Sequence, residues 1–588
     1  MADLSEETAQ PTLQDELDAL AARLVDAARW LREHPAASLP VPDPAALAGA
    51  GAALAGALAL DPAALDQLRR APLDALAEVL KSQLAALGGP ALAEPPLADR
   101  RFRHQAWQRS PPHLLLARLY LATAERLRRA TRELPALDPA DRRAVRFWID
   151  QLIDAASPAN ALWTNPVALE TALETGGRSL VRGLRHLVDD LAAGRAPFPR
   201  TVPDSALELG RDLAVTPGKV IARNELMELI QYAPATERVH RRPLLICPPW
   251  INKYYILDLR PATSFVRFAV EQGHTVFLIS WVNPGPEHAQ VGFDDYLRLG
   301  PLAALATIRR ATGEARVNAL GYCLGGTLLA CCLAWLARGR TRPIASATFL
   351  TCLLDFSEPG DLGVFLDPGQ LERLERHLER RGYLEAAAMS RVFALLRAND
   401  LIWSFVQSSY LMGREPPAFD LLQWNADGTN MPARMHGFYL RALYGENRLA
   451  RPGGITLLGR PIDLGASEVP AYFLSTREDH IAPWRSTFRG HRLLGGPKRF
   501  VLGGSGHIAG VINPAGSRKY GCWSDGPASD DPDAWLAGAI AREGSWWPDW
   551  ARWLASHGGG ERPARVPGGG SEVLDDAPGR YVRMRAGP

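Results

Sequence analysis

An α/β fold with a mostly parallel, doubly wound sheet is predicted for the larger, carboxy-terminal part of the chain. Two observations predict it. After Arg242, short and nearly continuous apolar runs alternate with segments of helical spacing, the pattern of parallel strands buried on both faces. The runs are Pro243–Cys247, Thr275–Ser280, Val317–Leu320, Ala345–Leu354, Pro470–Leu474 and Arg499–Leu502. The stretch from Asp355 to Pro470 is rich in Leu, Arg, Trp and Tyr and carries no comparable strand series, so a cap or lid inserted over about residues 356–465 is expected.

Ahead of this lies a different grammar. From Leu13 to about Leu137 the chain is rich in Ala, Leu, Arg and Glu, with Leu17, Leu20, Leu24, Ala28 and Leu31 at helical spacing. Pro-rich punctuation at Pro40–Pro44 and Gly88–Pro96 divides this region. The expected organisation is a variable, largely helical leader over 1–96, a helical amino-terminal domain over 97–205, and the α/β domain over 206–558. A flexible tail follows over 559–588, where Gly, Pro and Arg leave too little apolar material for a core of its own.

Composition excludes several classes of function. With 66 basic against 64 acidic residues the net charge is +2, which gives no general electrostatic reason to bind nucleic acid or an anionic membrane. Cys247, Cys323, Cys331, Cys332, Cys352 and Cys522 show none of the spacings of a zinc site or disulfide framework, so a reducing cytoplasm is expected and no metal. The acidic start, Met1–Glu7, lacks the features of a secretory signal. The most apolar stretch, Ala45–Leu60, falls short of the roughly 20 residues that span a bilayer, so no transmembrane helix is read.

The chemistry begins at Cys323. Arg316–Ala330 reads as strand, sharp turn and helix, with Cys323 at the apex and Gly321 and Gly325 flanking it. This is the Gly-x-Ser-x-Gly nucleophile elbow of α/β hydrolases with sulfur in place of oxygen. Flanking residues without side chains let the strand turn directly into the helix. The helix amino terminus favours thiolate over thiol, and the backbone N–H of Leu324 is placed to donate to a developing oxyanion. Cys331 and Cys332, further along the same helix, read as small core residues.

In this fold the triad runs nucleophile, acid, base along the chain, the last two on loops that follow strands. After Tyr472–Ser475 comes Thr476-Arg-Glu-Asp-His-Ile-Ala-Pro-Trp484, and after Phe500–Leu502 comes Gly503-Gly-Ser-Gly-His-Ile-Ala-Gly510. Asp479 and His507 are the candidates: His507 to exchange a proton with Cys323, Asp479 to orient the imidazole and stabilise its charged form. Glu478 reads as a solvated loop residue and His480 as structural. A thiol nucleophile tilts the reading toward transfer, because cysteine receives an acyl group as a thioester, close in energy to an incoming acyl-CoA. The acyl group stays activated for passage to an alcohol.

Several long stretches together resemble the polyhydroxyalkanoate synthases: Arg242–Leu259 (RPLLICPPWINKYYILDL), GYCLGGT, TREDHIAPW, Gly503–Pro514 (GGSGHIAGVINP), GSWWPDW at Gly544–Trp550, and Ser157–Pro166 (SPANALWTNP). The similarity runs from about Arg101 to Trp553, and the single-chain length points to class I. The resemblance implies an α/β-hydrolase core behind a helical domain, and an enzyme that polymerises (R)-3-hydroxyacyl-CoA, typically 3-hydroxybutyryl-CoA. It releases CoA and carries the polyester as a thioester. It further implies no cofactor, since the CoA thioester is the substrate, and a cytoplasmic homodimer at the surface of polyester granules with granule-associated proteins as possible partners.

Position by position, Cys323 matches the family nucleophile, His507 the general base and Asp479 the carboxylate. The resemblance leaves open whether Asp479 orients His507 or activates the monomer's 3-hydroxyl. Trp250 stands where many relatives have cysteine after the two prolines. Its backbone N–H is the expected second oxyanion donor, and its bulk is expected to border the pocket. In the cap, Arg397 is a candidate for the CoA phosphates, and Trp424 reads as packing. A smaller cysteine hydrolase resembling dienelactone hydrolase shares the elbow and triad order but explains neither the helical region before Arg242 nor the cap. A non-catalytic granule scaffold would not need thiol, acid and base together.

Overall fold

The structure is a computed structural model that describes residues 12–33, 43–87, 97–132, 134–195, 198–203 and 207–586. The expected linker Gly88–Pro96, most of the Pro40–Pro44 punctuation and the segment Met1–Glu7 lie outside the described residues. The chain forms two compact units, one of residues 1–204 with 391–418, the other of residues 205–390 with 419–588.

The first unit is helical. Long helices cover Leu13–Glu33, Pro44–Leu60, Pro62–Leu87, Pro111–Arg132, Pro139–Ala155 and Arg178–Ala192. Leader and amino-terminal helices are thus one body, with Leu20 of the leader packed against Val188. Phe102, Trp107, Ala117 and Ala159 form a second core cluster, in which the rings of Phe102 and Trp107 meet edge to face at 4.8 Å. The Ser157–Pro166 motif is a folding device. Asn165 caps the helix Pro166–Glu174 by accepting from the amides of Val167 and Ala168, while its own amide donates to the Ala159 carbonyl at 2.8 Å. Among the described residues no single helix is long and apolar enough to cross a membrane; the bent pair Pro44–Leu60 and Pro62–Ser82 passes on length and composition only.

The expected cap is not one insertion. Residues 391–418 belong to the helical unit, where Gln407 donates to Asn160 at 2.8 Å and the Tyr410 hydroxyl to Asp190 at 2.8 Å. Gly183 lies so close to this segment that a Cβ there would stand 2.0 Å from the Tyr410 carbonyl oxygen. The rest of the expected cap stays with the α/β unit. Periodicity reported helices throughout the region and had no means of saying which body each helix packs on.

In the second unit, among the described residues, eleven strands form one sheet: β1 Gly218–Arg223, β2 Met227–Tyr232, β3 Leu244–Cys247, β4 Val276–Trp281, β5 Val317–Tyr322, β6 Ile344–Leu350, β7 Ala471–Thr476, β8 Lys498–Gly503, β9 Cys522–Ser524, β10 Ile540–Arg542 and β11 Asp575–Asp576. Their order is β10-β9-β8-β7-β6-β5-β3-β4-β2-β1-β11. The six apolar runs are the six central strands, all parallel to one another, and β3 to β7 are buried along their whole length. The antiparallel edges β1, β2, β9, β10 and β11 are short or mixed in polarity, which is why no continuous apolar run marks them.

The carboxy-terminal segment expected as a flexible tail is docked. Glu561–Pro563 pairs with Arg238–His240, and β11 pairs with β1. Arg565 is 8% exposed and donates to the Thr275 hydroxyl (3.0 Å), the Arg241 carbonyl (2.6 Å) and Glu314 (3.0 Å). Buried Glu228 accepts from the amides of Arg580 and Tyr581, each at 2.9 Å. The tail has little apolar surface, as read, but it borrows a sheet edge and two carboxylates of the domain in place of a core.

Candidate active site

Strand register brings the three loops of the site to one edge of the sheet. Tyr322 pairs with Leu350 at the end of β5, and Thr476 pairs with Gly503 at the ends of β7 and β8. Cys323, Asp479 and His507 follow immediately, where the carboxyl ends of parallel strands expose their loops.

Cys323 sits at φ 51° and ψ −123°, a left-handed φ that a non-glycine residue adopts only when its surroundings impose it. Its amide donates to the Leu350 carbonyl at 2.9 Å, and the helix Leu324–Ala337 begins at the next residue. The flanking glycines are demanded by close approach. A Cβ on Gly325 would lie 2.1 Å from the Cys247 carbonyl oxygen, and one on Gly321 would lie 2.4 Å from the Gly326 Cα. Of the six cysteines, Cys323 alone is not fully buried. Burial pushes the thiols of Cys247 and Cys331 up to about 12 and raises Cys332 and Cys352 as well, so these act as small apolar residues.

His507 neighbours Cys323, and its Nδ1 lies 2.7 Å from Asp479 Oδ2. Burial alone would lower the imidazole, but the Asp479 carboxylate and the Cys323 sulfur outweigh it and raise its pKa to about 10. The proton is therefore held on His507 through neutral pH. The Asp479 side chain is fully enclosed. Oδ1 accepts from the amides of Ile481 (2.9 Å) and Ala482 (2.8 Å), and Oδ2 from the Thr476 hydroxyl (3.3 Å) as well as from His507. Glu478 is exposed, and its amide donates to the Ser505 carbonyl at 2.9 Å, tying the acid loop to the base loop. His480 is half-buried.

The amide of Leu324, first residue of its helix, has no acceptor within that helix. Neither it nor the amide of Trp250 donates to any acceptor among the described residues. The Trp250 side chain is 1% exposed and packs against Tyr296 at 4.4 Å, Trp281 at 5.4 Å and Phe293 at 6.1 Å between ring centroids. Its bulk is thus packed into an aromatic cluster. Trp281 supports the same loop, its Nε1 donating to the Pro248 carbonyl at 2.9 Å.

Arg397 belongs to the helical unit, whereas the triad belongs to the α/β unit. Its Nε donates to Asp400 at 2.9 Å, the pairing of an ordinary helix-surface arginine. Trp424 is packing, as read: it is 5% exposed and its indole donates to the Lys253 carbonyl at 2.7 Å.

Three sets of residues were missed. Trp546 and Trp547 donate to the carbonyls of Gly510 (3.0 Å) and Val511 (2.9 Å), so the GSWWPDW motif grips the loop that carries His507. Tyr322, beside the nucleophile, stacks on the His507 ring at 5.6 Å and donates to the His507 carbonyl at 3.2 Å. The rings of Tyr439 and Tyr444 meet edge to face at 5.3 Å, and burial holds both phenols in the neutral form. Only the tryptophans had a signal in the sequence, their density in one short motif.

The fold defines a chain of the α/β-hydrolase class with a cysteine at its strand-to-helix elbow, and residues 243–514 match the family described as alpha/beta hydrolase fold. Residues 98–269 match the family described as poly-beta-hydroxybutyrate polymerase (PhaC) N-terminus. The chain is 48% identical to the poly(3-hydroxyalkanoate) polymerase of Methylorubrum extorquens (84% of this chain, 82% of the relative). It is 46% identical to the polymerase subunit PhaC of Rhizobium etli (83% and 77%) and 45% identical to that of Cupriavidus necator (85% and 85%). The chain belongs to the poly(3-hydroxyalkanoate) polymerase family.

Proposed function

We propose that this enzyme polymerises (R)-3-hydroxyacyl-CoA, with 3-hydroxybutyryl-CoA as its typical monomer, into polyhydroxyalkanoate through a thioester on Cys323. The observation that carries the reading is a half-buried thiol at a strained elbow, beside a histidine that a fully enclosed carboxylate orients. In the acylation step Cys323 Sγ attacks the thioester carbonyl. The negative charge on its oxygen falls between the amides of Leu324 and Trp250, and the C–S bond to CoA breaks as His507 protonates the leaving sulfur. In the elongation step the 3-hydroxyl of a neighbouring acyl group gives its proton to His507 and attacks the Cys323 thioester, so one ester bond forms for each thioester consumed.

Asp479 serves His507 in this scheme. Both its oxygens are already taken by two amides, a hydroxyl and the imidazole, which favours orientation of the ring over direct activation of the substrate hydroxyl. The chemistry calls for no cofactor. A class I enzyme acting as a homodimer at the surface of cytoplasmic granules, with granule-associated proteins as partners, completes the proposal. Its support is the family membership and the single-chain length.

The test is to incubate the purified protein with (R)-3-hydroxybutyryl-CoA and follow free CoA and insoluble polyester together, with Cys323→Ala alongside. Release of CoA with polymer formation, both abolished by the substitution, is the expected result. Free 3-hydroxybutyrate without polymer would replace the reading with a thioester hydrolase.

A further inference from the structure

The loop that carries Trp250 is held from outside by one segment. Trp424 Nε1 donates to the Lys253 carbonyl at 2.7 Å, and the Thr429 amide donates to the Ile251 carbonyl at 3.0 Å. The Thr429 hydroxyl donates to the Trp250 carbonyl itself, and Asn252 bridges to Gly428. At the centre is Asp427. One of its oxygens lies 2.7 Å from Lys253 Nζ, and the other accepts from the Tyr255 hydroxyl at 3.0 Å. The Lys253 side chain is 3% exposed and Tyr255 is wholly buried, so a single carboxylate neutralises a buried ammonium and ties down a buried phenol on either side of the same turn. Neither partner is free to find water when the carboxylate is lost.

The other face of the loop meets the elbow. The Cys247 and Pro248 carbonyl oxygens would stand 2.1 and 2.6 Å from a Cβ on Gly325, so the backbone leading to Trp250 is packed on the first turn of the nucleophile helix. Any slackening of the loop moves the Trp250 amide relative to Leu324, and oxyanion stabilisation depends steeply on donor placement.

We propose that Asp427 is a positioning residue of the reaction: through Lys253 and Tyr255 it fixes the loop whose Trp250 amide is the second oxyanion donor. The proposal rests on the reading of Cys323 as the acylated nucleophile. Asp427 touches no reacting atom, and its effect is confined to steps that pass through a tetrahedral intermediate.

Two reactions of the same sulfur separate this role from a general structural one. Acylation of Cys323 by (R)-3-hydroxybutyryl-CoA, read as CoA released in the first turnover, needs the oxyanion donors. Alkylation of Cys323 by iodoacetamide needs the thiolate and His507 but forms no oxyanion. For Asp427→Asn the expected result is acylation slowed about 10- to 100-fold, with KM and the alkylation rate within about 2-fold of the parent. Asp427→Glu should recover part of the loss. Should the buried Lys253 prevent Asp427→Asn from folding, the double variant Lys253→Met/Asp427→Leu removes both charges, still releases Tyr255, and should show the same split. Equal loss of acylation and alkylation, or loss of neither, overturns the proposal. Parent enzyme that still releases CoA after complete alkylation of Cys323 sinks the nucleophile reading, and the proposal with it.

Discussion

Asp479 and His507 meet at 2.7 Å, carboxylate oxygen to imidazole Nδ1, where the carboxylate's side chain is fully enclosed and also accepts from the Ile481 and Ala482 amides and the Thr476 hydroxyl. That contact fixes which ring nitrogen faces the sulfur, and it keeps the imidazole charged. Asp479→Asn reverses both effects. First-turnover CoA release and subsequent elongation should fall together, by about 10²- to 10⁴-fold. Loss of elongation with an intact first turnover would instead assign Asp479 to the substrate hydroxyl.

The same contact links stability to pH. The folded pKa of His507, about 10, lies above the ordinary 6.5 of the free side chain. Its contribution is therefore fully present below about pH 6.5 and lost as the pH rises through about 10. Thermal melts across this range should show an alkaline decline for the parent that is shallower in Asp479→Asn.

Loss of either indole donor behind the base loop should act at a distance. Trp546→Phe or Trp547→Phe leaves the Gly510 or Val511 carbonyl short of a donor. Each should cost about 1–3 kcal/mol of stability, read by urea denaturation. Each should also lower kcat more than it raises KM, because the loop carries His507.

The aromatic cluster under the oxyanion loop predicts an order of effects. Trp250→Ala empties a packed site and should cost about 3–5 kcal/mol. Trp250→Phe should be much milder, since the Trp250 indole N–H has no partner among the described residues. Trp281→Phe should be worse than Trp250→Phe, because the Trp281 indole holds the Pro248 carbonyl. Chemical denaturation of the three variants checks the ranking.

At the elbow, Gly325→Ala should be more damaging than any of these. Its Cβ would meet backbone atoms 2.1 and 2.6 Å away, which have no side-chain freedom with which to retreat. Soluble yield and the denaturation midpoint should both collapse.

The sequence by itself determined what is local or periodic. Six apolar runs became the six parallel central strands because strands buried on both faces need continuous apolar residues. The elbow at Cys323 and the loops of Asp479 and His507 were legible as segments because each follows the end of such a strand. Tertiary structure alone decided which body a polar or helical segment joins. The helices of residues 391–418 went to the amino-terminal unit, Arg397 with them, and a tail with little apolar surface was recruited by Glu228 and Glu314. Trp250 turned out to be packed in an aromatic cluster, Trp546 and Trp547 to hold the base loop, and Asp427 to sit between Lys253 and Tyr255. These contacts join residues far apart in the chain through single hydrogen bonds, ion pairs and ring packing, and no spacing or composition records them.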